Sequence, residues 1–381
     1  MSALIWLSFY SLFALSILDN FRGPFYPDIL QDLSLGPAQG SWFFATMSCF
    51  ASLGSWLLHG FLRRHSAVHL MGAAAFVVAI GFAGIAQAPS LALLLVSCAV
   101  FGFAFGGLNL AQNVLIGEAA DGAIRRRLFS GLHAMYGLAS LVAPLMASWF
   151  RDHGWSWRVA FLCSTTLPLI LALWSWRLHK LAVPTHAEAA PPALEKKELW
   201  KSAFFALILA AYLWGELSVS SRLVLWLRVE RGFAPDQADF YLALFFSCLL
   251  AGRLLFGFLN VERMGLGNRG LLLASAGLSA VGYALGLSYS PLFLVACGFV
   301  MAPFYPVMMD EVSRQFGRKT SQALGLVIGG GSGSVVLMHV LIGQLNARFG
   351  LTVALSLCAV SLAFLTLLLL GWSVRAHRQP N

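Results

Sequence analysis

The sequence predicts an all-α polytopic membrane protein, with twelve transmembrane helices arranged as two six-helix, pseudo-symmetric bundles. Three observations carry this expectation. The 381 residues are 59% hydrophobic and only 11% charged, less than half of the ~25% that a soluble domain normally carries. Apolar windows of about 20 residues, the length that spans a hydrocarbon core, recur along the whole chain. The two halves of the chain also align on each other at a nearly constant offset. Composition alone excludes a disordered chain, a secreted disulfide scaffold and a soluble enzyme.

Taken in order, the spans fall near 4–28, 38–62, 67–87, 91–116, 128–150 and 156–178, then 202–228, 237–260, 269–288, 291–312, 321–347 and 351–373. The first apolar run lacks a basic n-region and is too long for a signal h-region, so it reads as a span that is kept. Pro37-Ala38-Gln39 opens the second span and Pro235-Asp236-Gln237 the eighth, an offset of 198. Proline suits a first helical turn because its missing N–H would be unpaired there anyway. Cys49 aligns with Cys248, Cys98 with Cys297, Cys163 with Cys358, and Gly60-Phe61-Leu62 with Gly257-Phe258-Leu259, all at offsets of 195 to 199. The longest polar stretch, Lys180 to Lys201, contains Pro184, Pro191, Pro192 and the cluster Glu195-Lys196-Lys197-Glu198. It reads as a linker over 181–200 between bundles 1–180 and 201–381.

The net charge of +9 follows topology and not nucleic-acid binding. Seventeen of the 25 lysines and arginines lie in every second connection or at the C-terminus, among them Arg63, Arg64, Arg125, Arg126 and Arg127. The alternate connections hold Arg151, Arg158, Arg228, Arg231 and Arg348. This asymmetry predicts that both termini face the cytoplasm. The six cysteines show no CxxC spacing and point to no metal site. No N-x-S/T sequon occurs, which fits a bacterial inner membrane.

Charges at bilayer depth cost several kcal/mol, about 2.5–3.5 on insertion scales, and are functional candidates by default. Arg22 in span one and Arg222 in span seven stand 200 residues apart, the repeat offset again, so under pseudo-symmetry they would face each other across a cavity. In one reading they clamp an anionic solute through the guanidinium fork, and Asp19 or Glu216 titrates as the coupling proton site. In the other each arginine neutralises a neighbouring acid and fixes packing only. Asp19 is the natural mate of Arg22, because i,i+3 residues meet on a helix face; Glu216 lies too far from Arg222 for that.

Span four carries Asn109, Gln112 and Asn113 on one face. Such a stripe serves either solute hydrogen bonding or interhelical contact. Tyr136, His133, Tyr212, Trp214, Tyr305 and His339 are further candidates inside the spans; Tyr136 and Tyr305 are taken with the polar stripe as solute-binding. The glycine runs at Gly329-Gly330-Gly331 and at Gly102, Gly106 and Gly107 lack the lysine of a phosphate loop. They read as sites of close helix approach, and transport driven by intrinsic ATP hydrolysis is excluded.

Parallel six-span repeats resemble the architecture of the major facilitator superfamily, whose solute sites lie near the midplane between the repeats. Gly252-Arg253-Leu254 with Gly257, followed by Arg263 and Arg269, is similar to that superfamily's signature loop between spans eight and nine. The resemblance implies a gate, in which Arg253 pairs with Asp310 or Glu311 at the end of span ten. The first half departs from the pattern. Trp56 occupies the position matching Arg253, and Glu118 and Asp121 remain as mates for Arg63 or Arg64. Within the superfamily, Tyr212 to Ser220, Ala251 to Gly257, Pro303 to Pro306 and Asn109 to Glu118 resemble the fucose permease-like branch, which implies proton-coupled uptake of neutral sugars. That branch typically places a glutamate where Asn109 stands, which moves any proton site to Asp19 or Glu216. Paired arginines on spans one and seven are instead similar to the organophosphate antiporters of the superfamily.

The expected protein is therefore a monomeric secondary transporter of a small polar, anionic solute, coupled to protons and embedded in the bilayer, with no cofactor, metal or nucleic-acid partner. A neutral sugar is the alternative solute. A membrane-embedded lipid-modifying enzyme, hinted at only by His59, His65 and His69, or a receptor, is the alternative of another class.

Overall fold

A computed structural model describes residues 2–58, 60–63, 65–119, 122–179, 194–258 and 267–377. The chain divides into two compact units, Met1–Glu188 and Ala189–Asn381. Twelve stretches are long and apolar enough to cross a membrane, and among the described residues every regular element is helical.

The first unit holds α1 (Ser2–Asp32), α2 (Pro37–Leu58), α3 (Ala67–Gln87), α4 (Leu91–Ala119), α5 (Gly122–Asp152), α6 (Trp157–Ser164) and α7 (Thr166–Leu178). The last two form one span, interrupted at Thr165. Helix α4 packs between α2 and α3, α1 packs along α5, and α3 packs along α7. Two starts are set by serine caps: the Ser66 hydroxyl accepts from the backbone N–H of His69 and that of Ser156 from Val159, satisfying donors that a helix start leaves orphaned.

The second unit holds α8 (Lys196–Val229), α9 (Pro235–Phe258), α10 (Asn268–Ser288), α11 (Pro291–Met301), α12 (Phe304–Phe316), α13 (Thr320–Phe349) and α14 (Leu351–His377). Its pairings repeat those of the first unit: α8 with α13, α9 with α11, α11 with α10, and α10 with α14. Helices α11 and α12 together make span ten, broken at Ala302 and Pro303.

Glycines set the closest crossings. A Cβ on Gly54 of α2 would overlap the carbonyl of Phe103 on α4, and one on Gly106 would overlap that of Ala51. Gly102 meets the Met47 carbonyl in the same way. In the second unit Gly298 of α11 meets the Phe245 carbonyl, and Gly252 of α9 meets Phe299 and Ala302. With no side chain between them, the backbones of these helices touch, the arrangement that favours packing in lipid.

Several boundaries differ from the expected ones. Helix α8 starts at Lys196 and not near 202, because Glu195 and Glu198 form a capping box. The cluster 195–198 is thus a helix start, where the sequence reads as linker. Helix α1 runs on to Asp32 through Pro24 and Pro27, and α5 begins at Gly122, so Arg125 to Arg127 are helical.

Candidate functional site

In the first unit the intramembrane charge pair lies on one helix. Arg22 bonds the Asp19 carboxylate, and its Nε donates to the Asp19 carbonyl at 2.9 Å. The i,i+3 spacing brings both to one face of α1. The guanidinium also stands 5.3 Å from the ring centre of Phe44 and 3.1 Å from Met47 Sδ, both on α2. The pair is partly open, with side chains 14% and 19% exposed. Asn20 turns the other way, donating to the Ser16 carbonyl and to Ser140 of α5.

The polar stripe of α4 bonds mainly within itself. Gln112, fully buried, donates to Asn109 at 2.9 Å and accepts from Ser11 of α1 at 2.8 Å. Asn113 donates to the Asn109 carbonyl at 2.7 Å. Asn109 itself is exposed. Tyr136 of α5 packs on the buried cluster of Leu12, Ile116 and Leu132. The expected acid–base set of this unit (Arg63, Arg64, Glu118 and Asp121), together with His59, lies outside the residues whose side chains are described.

In the second unit the pair joins two helices. Arg253 of α9 reaches Glu216 of α8 at 3.3 Å, with side chains 25% and 10% exposed. The Tyr212 hydroxyl, one turn before Glu216, bonds the same carboxylate and lies 3.2 Å from the Met301 carbonyl. Its ring stacks on Phe304 at 4.3 Å and 7°. Trp214 donates to Ser334 of α13 at 3.2 Å. Tyr305 is half-buried and His339 buried.

This corrects the expected gate. The carboxylate that meets Arg253 comes from α8, whereas Glu311 is met by Arg269 at 3.7 Å, by Gln315 at 2.8 Å and by Asn268 at 3.3 Å. Asp310 accepts from Asn268 at 2.8 Å. The reason is depth. Glu311 follows Met301 by ten residues, about 15 Å along a helix, which sets it level with the start of α10. Gly252, meanwhile, draws Arg253 in beside the break of span ten.

Arg222 is 1% exposed and donates to the Ser221 carbonyl at 3.4 Å. It differs from Arg22, its counterpart by offset, in being almost fully buried. One buried charge escaped the sequence reading. Asp239, in the second turn of α9, is 0% exposed. It lies two residues inside the expected span 237–260, next to Pro235-Asp236-Gln237, where a single acid so near a span's start carries no signal of its depth.

The sequence profile of the Major Facilitator Superfamily matches residues 7–265. The chain belongs to that superfamily. Among solved structures, a point mutant of the nucleoside transporter NupG is similar over 97% of this chain and 99% of its own, with a TM-score of 0.77 and 13% identity. A point mutant of the peptide transporter POT is similar over 98% of this chain and 95% of its own, with a TM-score of 0.78 and 12% identity. POT in complex with sulfate gives 0.74 and 15% over the same shares. At these identities the likeness is one of fold. A comparison with curated proteins finds no match. Membership in the superfamily makes the chain a multi-pass membrane transporter of small solutes and not an enzyme. His65, stacked on Phe61, and His69, bonded to Ser66, accordingly have no catalytic part.

Proposed function

We propose that the protein is a proton-coupled secondary transporter of a small anionic solute, working by alternating access between its two six-span bundles. The observation that carries this reading is that each unit holds a guanidinium against a carboxylate inside the spans: Arg22 with Asp19, and Arg253 with Glu216. An ion pair of this kind offers no net charge to a solute. When the acid takes a proton its hold on the arginine weakens, and a carboxylate or phosphate of the solute takes its place. Proton and anion then move together without net charge. Asp19 and Arg22, the pair with the more open carboxylate, serve the solute; Asn109, Gln112, Asn113, Tyr136 and Tyr305 orient it. Glu216 is the second proton site. Arg222, buried as it is, makes no direct contact with the solute. Asp310 and Glu311, bonded to Asn268 and Arg269, hold the opening of span nine against the end of span ten.

The setting that fits is the cytoplasmic membrane of a bacterium, with a monomer whose termini face the cytoplasm. The units 1–180 and 201–381 rock about the segment 181–200. That POT is described in complex with sulfate supports binding of an anion by a related fold.

A neutral polar solute such as a sugar is the second reading. It is favoured by the amide stripe of α4 and by both arginines already having carboxylates. A thermal-shift screen of carboxylates, phosphates and sugars on the purified protein separates the two. An anion that binds the native state raises Tm in proportion to its concentration over Kd, more strongly in mild acid, and the shift is lost in Arg22→Ala. A sugar that raises Tm equally in Arg22→Ala, with no dependence on pH, replaces the anionic reading by the neutral one.

A further inference from the structure

The break in span ten is answered by its neighbours. Pro303 has no N–H, so the Phe299 carbonyl loses its helical donor, and Pro306 does the same to Ala302. In lipid such acceptors must be satisfied from within the protein. The two carbonyls after Phe299 receive hydroxyls from other helices: Ser275 of α10 donates to Val300 at 2.7 Å, and Tyr212 of α8 lies 3.2 Å from Met301. Gly252 brings α9 against Phe299 itself. Helices α8, α9 and α10 thus converge on one interruption.

Tyr212 is the member of this set with two claims on it. A phenol has one hydrogen to donate, and its oxygen is within reach of both the Glu216 carboxylate and the Met301 carbonyl. Resting on the reading of Glu216 as a proton site, we infer that Tyr212 is a positioning residue that relays the proton occupancy of Glu216 to the break in span ten. With Glu216 ionised, the charge-assisted bond takes the phenol hydrogen, and the Met301 carbonyl goes without it. With Glu216 protonated, the carboxylic O–H donates to the phenol oxygen, and the phenol hydrogen turns to Met301. No bond between heavy atoms changes; one proton arrives on Glu216 and one hydrogen bond changes acceptor. The ring holds its place throughout, stacked on Phe304, the first residue beyond the break.

The groups that face Glu216 are consistent with this part. Arg253 approaches from α9, Tyr305 of α12 lies in the field of the same carboxylate, and Tyr212 sits on its own helix. Helix α13 meets this stretch of α8 through Ser334, and α14 through Leu362 and Ser361, none of which titrates; Cys358 of α14, a thiol, lies beside Ser218, two residues beyond Glu216.

The test is amide hydrogen exchange of residues 302–308 in the full-length protein in nanodiscs, followed across the acidic to neutral range and corrected for intrinsic rates. The wild type is expected to show one several-fold step in exchange, slower on the acid side. Glu216→Gln cannot ionise and loses the step. Tyr212→Phe keeps the stacked ring, loses only the hydroxyl, and also loses the step, at uniformly faster exchange. If Tyr212→Phe exchanges faster yet keeps the step with an unchanged midpoint, Tyr212 only supports the break and the relay is overturned. If Glu216→Gln keeps the wild-type step, Glu216 is not the proton site, and the functional reading of that residue falls with the relay; if the wild type has no step, the relay alone is overturned.

Discussion

The two units place an arginine inside their first helix at the same offset, yet they bury their ion pairs differently. In the first unit the pair Asp19–Arg22 belongs to one helix and is partly open. Its carboxylate and guanidinium come from the same helix, and Arg22 reaches α2 through Phe44 and Met47. In the second unit Glu216–Arg253 ties α8 to α9, and Tyr212 connects the same carboxylate to span ten. A change of charge there is felt by three helices. The two units keep one scaffold while their charges differ, and in the second unit the carboxylate of the pair is tied to three helices.

What the units share lies at the far end of α1 and α8. In the first, Asp32 ends α1 and accepts from Trp157 at 3.1 Å and Arg158 at 2.9 Å; Arg158 also donates to the Ala86 carbonyl, at the end of α3, at 2.8 Å. In the second, Glu230 ends α8 and accepts the backbone N–H of Thr352 at 3.0 Å together with that of Leu351. Trp226 donates to the Thr352 hydroxyl at 2.8 Å, and Arg231 to the Leu287 carbonyl at the end of α10. In each unit the arginine lies over the tryptophan, at 4.5 and 4.7 Å. The same three spans are clamped in both, with the arginine and tryptophan supplied by different helices.

The largest contrast is expected from Arg253→Met against Arg22→Met. The first strands a carboxylate that is 10% exposed and costs about 3 kcal/mol, as broken buried pairs do; the second leaves Asp19 partly in reach of solvent and costs about 1 kcal/mol. Chemical or thermal unfolding in detergent measures both. Glu216→Leu in the same chain recovers most of the Arg253→Met cost. Equal costs for the two arginines would erase the distinction between the units.

Next in size is Gly54→Ala, which sets a methyl group against backbone at Phe103 and is expected to cost about 2 kcal/mol. Gly252→Ala meets the Ala302 side chain as well as the Phe299 backbone, and costs less because α11 ends there and can yield. Glu230→Gln removes the anion at the start of α14 and costs about 1 kcal/mol, against about 0.5 kcal/mol for Asp32→Asn, whose partner Arg158 is partly exposed. Melting temperatures rank the four. The smallest effect belongs to Lys319, at the surface. Its 2.7 Å contact with Glu198 raises it above the ordinary 10.5. The stabilisation is therefore present at neutral pH and is lost as pH rises through the raised value. The Tm gap between wild type and Lys319→Met should close only in strong alkali.

Much of the fold was legible because lipid imposes a simple code: long apolar windows, alternating basic connections and a repeat that survives in cysteines and prolines. The Asp19–Arg22 pair was legible too, since i,i+3 contact on a helix is local. The mate of Arg253 was not. It depends on how deep each residue sits: Arg253 follows Gly252, which adjoins the break of span ten, and Glu311 lies ten residues past Met301, about 15 Å along a helix. Asp239 was hidden by its nearness to a helix start. The enclosure of Arg222 depends on packing between helices, which a repeat offset does not encode.

The crossings at Gly54, Gly102 and Gly106, and at Gly252 and Gly298, have a mechanical meaning. Side chains between helices act as cushions, since a rotamer change can take up small displacements. Where main chain rests on main chain there is nothing to compress or swivel. Spans two and four, and likewise eight and ten, are therefore fastened like welded plates. Thermal agitation inside each bundle has to find its outlet along seams where flexible side chains still intervene.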